Sequence, residues 1–257
     1  MSDTATFVTV DGVRLETREW PGREGAAATP ILLLHEGLGS VSMWRDFPAS
    51  LAERTGRRVV AWSRQGYGRS DPMPGPFAPD YMHREAEKLP TLMDALGLER
   101  AHLFGHSDGG SIALIAAAHH PARIASLILE APHVHVERIT HDSIAAVKEV
   151  FAATDLAQRL GRHHADPAHS FRLWNDIWLD PRFRDWSIEA LLPRIRAPAL
   201  LIQGQGDEYG TLDQLDRIEA ALPAARRLEL ASCGHSPHRD QPDAVLAAVA
   251  AFLGDFS

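Results

Sequence analysis

The stretch Gly105-His106-Ser107-Asp108-Gly109 decides the fold of this chain. The apolar run Ala101–Phe104 before it predicts a buried strand, and an apolar helical pattern follows over residues 108–121. A serine flanked by glycines at a strand-to-helix junction predicts a turn so tight that side chains at both glycine positions would collide. We expect this turn to hold the Ser107 hydroxyl out of the fold at a helix N-terminus, where negative charge is stabilised.

The composition is that of an ordinary globular protein. The 257 residues are 45% hydrophobic and 23% charged, which suits one large α/β domain or two small ones. The formal net charge of −8 argues against nucleic acid or an anionic membrane as the main partner. We therefore expect a small-molecule substrate, and the composition leaves the oligomeric state open.

Three features bear on the compartment. The single cysteine, Cys233, has no partner for an internal disulfide, which fits a reducing environment. Residues 1–10 lack the basic and apolar regions of a signal peptide. The longest apolar stretch, Ala244–Leu253, is too short to span a bilayer. The sequence therefore predicts a cytoplasmic protein.

Short apolar runs alternate with helical patterns along most of the chain, which predicts an α/β fold with parallel strands joined by helical crossovers. An opening hairpin is expected at Thr6–Val10 and Val13–Glu19, joined by a turn at Asp11-Gly12. Further strands are expected at Ile31–Leu34, Val59–Trp62, Ala125–Leu129, Ala199–Gln203 and Arg227–Leu230.

Residues 133–192 break the alternation, because they are polar and aromatic and show no clear strand. We expect a core domain made of residues 1–132 and 193–257, with residues 133–192 as a helical cap. Ligands in open α/β sheets bind outside the carboxyl ends of the strands. The cap is therefore expected to lie over Ser107.

Two polar residues follow later strands in an order that matches a serine nucleophile. A serine hydroxyl needs a base to activate it, and the base needs an acid to orient it. Asp207 follows the strand ending at Gln203, and His235 follows the strand ending at Leu230. The order Ser, Asp, His is the one expected for such a turn. We therefore predict Ser107 as nucleophile, His235 as base and Asp207 as acid.

Two other acidic residues compete with Asp207. Glu208 lies beside it in the chain and is expected to be solvated. Glu130 ends the strand before the cap, where we expect it to anchor the cap by hydrogen bonds. Glu130 is the alternative acid.

Acyl transfer also needs hydrogen-bond donors for the developing oxyanion. One expected donor is the backbone N–H of Asp108, which follows the nucleophile. The second is expected in the loop after Ile31–Leu34, which reads His35-Glu36-Gly37-Leu38-Gly39-Ser40. Within this loop we assign the second donor to Gly37.

These features resemble the α/β-hydrolase superfamily, in its smaller, soluble, capped form that includes esterases and lactonases. The resemblance covers nearly the whole chain. The segments that carry it are Leu34-His35, the turn Arg64-Gln65-Gly66-Tyr67-Gly68-Arg69-Ser70, the tight turn around Ser107 (the elbow), Asp207 and Gly234-His235. It implies an eight-stranded, mostly parallel sheet flanked by helices, a cap inserted after strand six, and no cofactor.

Two residues depart from the pattern of that family. Glu36 stands where the family usually has glycine, and it either points out of the site or makes a polar contact near the acyl group. Asp108 stands where Met, Leu or Gln is frequent, and its carboxylate either gains from the helix dipole or holds the cap or the substrate. Two acidic residues beside the serine predict a preference for neutral over carboxylate-bearing substrates.

Several histidines and tryptophans are further candidates. His133-Val134-His135 could form a metal pair, but no set of carboxylates or cysteines completes a site, so we expect no metal and a pocket-lining His133. Trp174 and Trp178 are four residues apart, so both are expected to face the sheet, and either is a candidate to contact substrate. His238, three residues past the base, is expected at the surface, and the alternative is a supporting position behind the site.

The sequence therefore predicts a serine hydrolase that cleaves a small neutral ester or lactone through an acyl-enzyme. One alternative is a carbon–carbon bond hydrolase of a dienone ring-cleavage product. Such enzymes often carry tryptophan just after the base histidine, where this chain has Ser236. The other alternative is a ligand-binding protein with low turnover on the same scaffold.

Overall fold

Eight strands form one sheet in the computed structural model, which describes residues 6–23 and 28–256. Their order across the sheet is β1-β2-β4-β3-β5-β6-β7-β8. The strands are β1 Thr6–Val10, β2 Val13–Trp20, β3 Ile31–Leu34, β4 Val59–Trp62, β5 Ala101–His106, β6 Ile124–Glu130, β7 Ala199–Gly204 and β8 Arg226–Leu230. β2 pairs antiparallel with β1 and β4, and the other neighbouring pairs are parallel. The predicted mostly parallel α/β sheet is confirmed.

Helices connect these strands. Within the described residues they are α1 Phe47–Thr55, α2 Tyr81–Ala95, α3 Asp108–His119, α4 Arg138–Ala153, α5 Leu156–Leu160, α6 Pro167–Trp178, α7 Asp213–Ala221, α8 Pro237–Asp240 and α9 Pro242–Leu253. None of them combines the length and the apolar character that crossing a bilayer requires.

The sheet is buried on both faces, and the alternation along β3 shows why. Successive side chains of a strand point to opposite faces. Ile31 and Leu33 belong to an apolar cluster with α1 and α9, whereas Leu32 and Leu34 belong to a second cluster with α2 and α3. Full burial of each such side chain contributes about 1.5–3 kcal/mol. A continuous apolar strand is therefore stabilised on both sides.

The insertion between β6 and β7 (residues 131–198) contains α4, α5 and α6. The backbone N–H of Ile188 donates to the carbonyl oxygen of Val134 at 2.8 Å, and an isolated bridge pairs His135 with Ser187, so the two ends of the insertion are joined. Its buried aromatic side chains, Trp178 among them, pack in the same apolar cluster as α3. The division of the chain into a core domain and a cap of residues 133–192 stays a prediction.

The loops that leave the carboxyl ends of the parallel strands meet at one edge of the sheet. Parallel strands place their carboxyl ends together, so residues far apart in sequence become neighbours there. This edge carries Gly37 after β3, Ser107 after β5, Glu130 at the end of β6, Asp207 after β7 and His235 after β8.

Candidate active site

The turn at Ser107 is strained, as the flanking glycines predict. Ser107 has φ 54° and ψ −118°, a conformation that costs free energy for any residue with a side chain. A Cβ on Gly105 would lie 2.3 Å from the carbonyl oxygen of Gly109, and a Cβ on Gly109 would lie 2.0 Å from that of Leu34. Only glycine lets β5 and α3 approach this closely around the serine.

The structure brings together the three side chains that the strand ends singled out. The Ser107 hydroxyl oxygen lies 2.9 Å from Nε2 of His235, and Nδ1 of His235 lies 2.8 Å from Oδ1 of Asp207. An ionised carboxylate can only accept hydrogen bonds, so the proton belongs on Nδ1. Nε2 is then the acceptor that faces the serine hydroxyl.

Asp207 is held by its own loop. Its Oδ1 also accepts hydrogen bonds from the backbone N–H groups of Tyr209 at 2.8 Å and Gly210 at 3.2 Å. Its Oδ2 accepts a hydrogen bond from Nε2 of Gln203 at 3.1 Å. Burial alone would raise the pKa of Asp207, but the nearby His235 and the hydrogen bonds outweigh it and lower this pKa. The carboxylate therefore stays ionised beside the imidazole.

Glu130, the alternative acid, faces another histidine. Its carboxylate accepts the backbone N–H of His238 and lies 2.7 Å from Nδ1 of the same residue, rather than contacting His235. The expectation of a surface position for His238 is wrong, because only 4% of this residue is exposed. His238 is buried because α8 packs against the end of β6 at this edge of the sheet. The sequence around His238 gives no indication of that contact.

Glu208, the acid beside Asp207, is exposed as expected, and it also contacts the loop of the base. Its Oε2 accepts the backbone N–H of His235 at 3.2 Å, a contact that the sequence does not predict. Its backbone oxygen also accepts the hydroxyl of Ser143 in α4, at 2.6 Å. The only signal in the sequence is its position directly after Asp207.

A cavity of about 410 Å³ opens in front of Ser107. Its lining includes Glu36, Gly37, Ser107, Asp108, His133, Trp174, Trp178 and His235, so Asp207 and Glu130 are the predicted site residues that do not line it. Part of the lining is apolar and comes from Ile144 and Val147 of α4 with Leu156 and Leu160 of α5. The insertion therefore contributes an apolar part of the cavity that Ser107 also lines.

His133 and the two tryptophans line this cavity together. The His133 ring lies 5.1 Å from that of Trp178 and 5.8 Å from that of His235. Burial, together with the charge of His235, lowers the pKa of His133 to about 3, so this imidazole is neutral. Trp174 and Trp178 reach the cavity from the same face of α6, as their spacing predicts.

The loop after β3 is held by a buried arginine. Arg64 donates to the backbone oxygens of His35 at 2.7 Å, Glu36 at 3.0 Å and Gly37 at 3.4 Å. Burial and the neighbouring Arg64 charge lower the pKa of His35 well below its usual value, so this ring is a neutral partner within the loop. A Cβ on Gly37 would lie 2.1 Å from Cδ1 of Trp174, so the cavity wall excludes side chains at this position.

Asp108 contacts the insertion directly. Its Oδ2 accepts the Tyr81 hydroxyl at 2.7 Å, its Oδ1 accepts Nε1 of Trp178 at 3.2 Å, and Arg64 lies 3.8 Å from Oδ2. Burial raises the pKa of Asp108 despite the charge of Arg64. Of the roles left open by the sequence, contact with the inserted segment is the one that the geometry matches.

Glu36 lines the cavity with a carboxylate that is 23% exposed, and its Oε2 lies 3.6 Å from Nδ1 of His106. Burial alone would raise the pKa of Glu36, but the neighbouring histidines lower it below its ordinary range. The carboxylate is therefore ionised, and it faces an imidazole at the edge of the site.

Two groups of described side chains have ligand atoms close enough to share a metal ion. They are His106 with Glu130 and His238, and His135 with Glu137 and Asp213. In the first group, Glu130 is already bonded to His238. In the second, Glu137 accepts the backbone N–H of Thr211 at 2.9 Å and Nε2 of Gln214 at 2.7 Å. Glu130 and Glu137 are thus engaged within the protein.

The fold and this arrangement define a class of protein. A family model for the α/β hydrolase fold matches residues 29–189. The chain therefore belongs to the α/β hydrolase fold family, and it is a hydrolase.

Two of the known proteins compared resemble it over most of its length, and a third resembles it over about half. Serine hydrolase BPHL of Homo sapiens is 32% identical over 244 residues, which cover 92% of this chain and 82% of that protein. RutD of Caulobacter segnis is 37% identical over 140 residues, so the match spans 52% of this chain and about half, 49%, of RutD. The crystal structure of a hydrolase from Pseudomonas aeruginosa PA01 has a TM-score of 0.78 and 27% identity, and the match covers 99% of this chain and 100% of that one.

Proposed function

We propose that the protein is a serine hydrolase that cleaves a small neutral ester or lactone through a Ser107–His235–Asp207 triad. The observation that carries this proposal is the unbroken series of hydrogen bonds from the Ser107 hydroxyl through both ring nitrogens of His235 to the Asp207 carboxylate. The hydroxyl faces a cavity large enough for a small substrate. The neighbouring strain and buried charges are typical of a catalytic centre.

In the first step, Nε2 of His235 takes the proton of the Ser107 hydroxyl while the serine oxygen forms a bond to the carbonyl carbon. The tetrahedral intermediate then collapses. The bond from carbon to the alcohol oxygen breaks, and His235 returns the proton to the departing alcohol. An acyl-enzyme remains on Ser107.

In the second step, water attacks the acyl carbon and gives its proton to Nε2 of His235. Collapse of this second intermediate breaks the bond to the serine oxygen, releases the carboxylic acid and returns the proton to Ser107. Asp207 orients the ring and stabilises its cationic form in both steps. Its lowered pKa supports this role, because the acid must stay ionised.

The backbone N–H groups of Gly37 and Asp108 are proposed to bind the oxyanion. Both residues line the cavity around Ser107. Arg64 contacts both segments, because it holds the backbone oxygens of the Gly37 loop and lies 3.8 Å from the carboxylate of Asp108. Each such donor typically lowers the barrier by about 3 kcal/mol.

A neutral substrate is proposed from the charges of the cavity. Glu36, Asp108 and Glu208 line it, against two arginines, Arg159 and Arg239. Arg159 is paired with Asp155 at 3.2 Å. Among these carboxylates, Glu36 lies beside His106 and Asp108 lies beside Arg64. We therefore propose that Glu208 disfavours a substrate that brings a further negative charge next to the reacting carbonyl.

We further propose that residues 133–192 act as the cap of the site. Helices of this segment supply apolar side chains and two tryptophans to the lining of the cavity that Ser107 also lines. An apolar wall favours an apolar acyl or alcohol group.

The experiment that tests the proposal is labelling with a fluorophosphonate, located by mass spectrometry, followed by turnover of a substrate panel. We expect one label on Ser107, with a burst and then steady release of a chromogenic alcohol from neutral esters. Faster turnover of a dienone ring-cleavage product than of any ester or lactone would overturn the substrate assignment. A burst without turnover would support the low-turnover binding alternative instead.

A further inference from the structure

We propose that the buried His106 forms an ion pair with Glu36 at the cavity wall and positions the backbone of His235, so that His106 is a positioning residue for the base. This inference rests on the proposed function. His106 directly precedes Ser107 in the chain, and it is neither a member of the triad nor part of the loop after β3.

His106 connects the nucleophile to the loop of the base. Nε2–H of His106 donates to the backbone carbonyl oxygen of His235 at 2.7 Å, and His106 itself is 1% exposed. The two rings lie 5.1 Å apart. His106 is joined to Ser107 by a peptide bond and to the backbone of His235 by this hydrogen bond. It therefore restrains the distance between the backbones of Ser107 and His235.

Both ring nitrogens of His106 face acceptors. Nε2 faces the carbonyl oxygen of His235, and Nδ1 faces the Glu36 carboxylate at 3.6 Å. The separation at Nδ1 is beyond hydrogen-bond distance, so the contact with Glu36 is an ion pair, which requires a proton on both ring nitrogens. Burial alone would lower the pKa of His106, but Glu36 and the charge of Glu130 outweigh it and raise this pKa to about 9. The other titratable groups around the ring are His235 and His238.

The loop after β3 is shaped to hold this carboxylate. A Cβ on Gly39 would lie 2.3 Å from Oε2 of Glu36, so the loop has room for the acid only with glycine there. The backbone N–H of Gly39 also donates to the backbone oxygen of Glu36 at 3.1 Å. An acid at the position of Glu36, where the resemblance predicts glycine, is thereby explained as the counterion of His106.

Glu130 is a second anchor for the loop that carries His235. The backbone oxygen of Glu130 accepts the N–H of Ser107 at 2.9 Å, and its carboxylate lies 2.7 Å from Nδ1 of His238. His238 lies three residues beyond His235. The base is therefore held directly by His106 and, further along its loop, by Glu130.

Three variants separate the hydrogen bond of His106 from its positive charge and from its counterion Glu36. His106→Gln keeps a donor at the position of Nε2 and removes the charge, His106→Leu removes both, and Glu36→Gln removes the counterion. His102→Gln is the matched control, since His102 is an equally buried histidine at the other end of β5 with a hydrogen bond to Ser126. We expect His106→Leu to lower kcat about 100-fold with little change in KM, because small misplacements of a catalytic group cost that much. His106→Gln should recover most of the loss.

The charge is measured without any assay of activity. The NMR titration of ¹³C-labelled histidines, with His106 assigned by its absence in His106→Gln, should show wild-type His106 protonated up to about pH 9. In Glu36→Gln this titration should move down by more than about one pH unit. An unshifted titration in Glu36→Gln, or a His106→Leu variant with wild-type kcat, would overturn the proposal. The NMR titration does not depend on whether Ser107 is labelled or turns over an ester, so failure of the proposed function is recognised separately.

Discussion

The backbone N–H of Ser107 donates to the carbonyl oxygen of Glu130 at 2.9 Å, and the carboxylate of the same Glu130 binds His238. The last residue of β6 thus holds the nucleophile through its backbone and the histidine loop through its side chain. The Glu130 side chain is fully buried, so a charge on its carboxylate needs the contact with His238 to offset the loss of water. Glu130 is placed to support the site rather than to act as the acid of the triad.

Two substitutions separate these roles. Glu130→Gln is expected to lower the free energy of unfolding by about 3 kcal/mol, the scale for breaking a buried charge pair, and to keep kcat within about tenfold. Asp207→Asn should lower kcat on the order of 10⁴-fold with a much smaller loss of stability. Chemical unfolding and ester turnover measure both quantities. The reverse pattern, a larger kcat loss in Glu130→Gln, would make Glu130 the acid.

Stability should depend on alkaline pH through His106. The folded-state pKa of about 9 lies above the ordinary value of 6.5. The stabilisation from this group is therefore fully present below about pH 6.5 and is lost as the pH rises through about 9. The difference in Tm between wild type and His106→Gln should shrink over this interval. A difference that is constant from about pH 6 to pH 10 would rule out a raised pKa.

Gly37→Ala is expected to impair the oxyanion loop. The added Cβ would meet Trp174 at 2.1 Å, so the loop or the indole must move, and kcat should fall about 100-fold. Because the clash is with this side chain, Trp174→Ala in the same chain should restore part of the loss. Steady-state kinetics of both variants on one neutral ester checks this. Full activity of Gly37→Ala would remove Gly37 from the donor role.

Glu208→Gln should relax the discrimination against carboxylate-bearing esters. A charge about 10 Å from the substrate carboxylate, at an effective dielectric constant near 20, contributes on the order of 1.5 kcal/mol. We therefore expect the ratio of kcat/KM for a carboxylate-bearing ester to that for its neutral analogue to rise about tenfold. Glu149→Gln, an exposed residue of α4 outside the cavity, is the control that should leave the ratio unchanged. Equal ratios in both variants would show that Glu208 does not set this preference.

The sequence predicted what depends on local pattern. Short apolar runs located the central strands, and the turn at Ser107 and the loop of Asp207 follow such strands. β8, before the loop of His235, is a more polar strand at the end of the sheet. Parallel strands then bring their carboxyl ends to one edge, so the neighbours of Ser107 were accessible from strand order alone. Even the errors at strand ends are small. β5 continues two residues past Phe104, because its backbone pairing with β6 continues through His106, where the apolar run has already ended.

Contacts between distant segments could not be predicted in this way. The burial of His238 depends on how α8 packs against the end of β6, and the hold of Arg64 on the Gly37 loop depends on β4 lying beside β3. The contact of Trp178 with Asp108 depends on how α6 docks over the sheet. No local periodicity carries these relationships, because each is fixed by packing between elements that are far apart in the chain.

The most direct test of the proposed triad is the turnover of a neutral ester by Ser107→Ala. Ser111→Ala is the matched control, because Ser111 lies one turn further along α3 with its hydroxyl bonded to the backbone oxygen of His133. We expect Ser107→Ala to lose on the order of 10⁴-fold or more in kcat/KM while its Tm stays close to that of the wild type. A folded Ser107→Ala variant with kcat/KM within about tenfold of the wild type would contradict nucleophilic catalysis by Ser107.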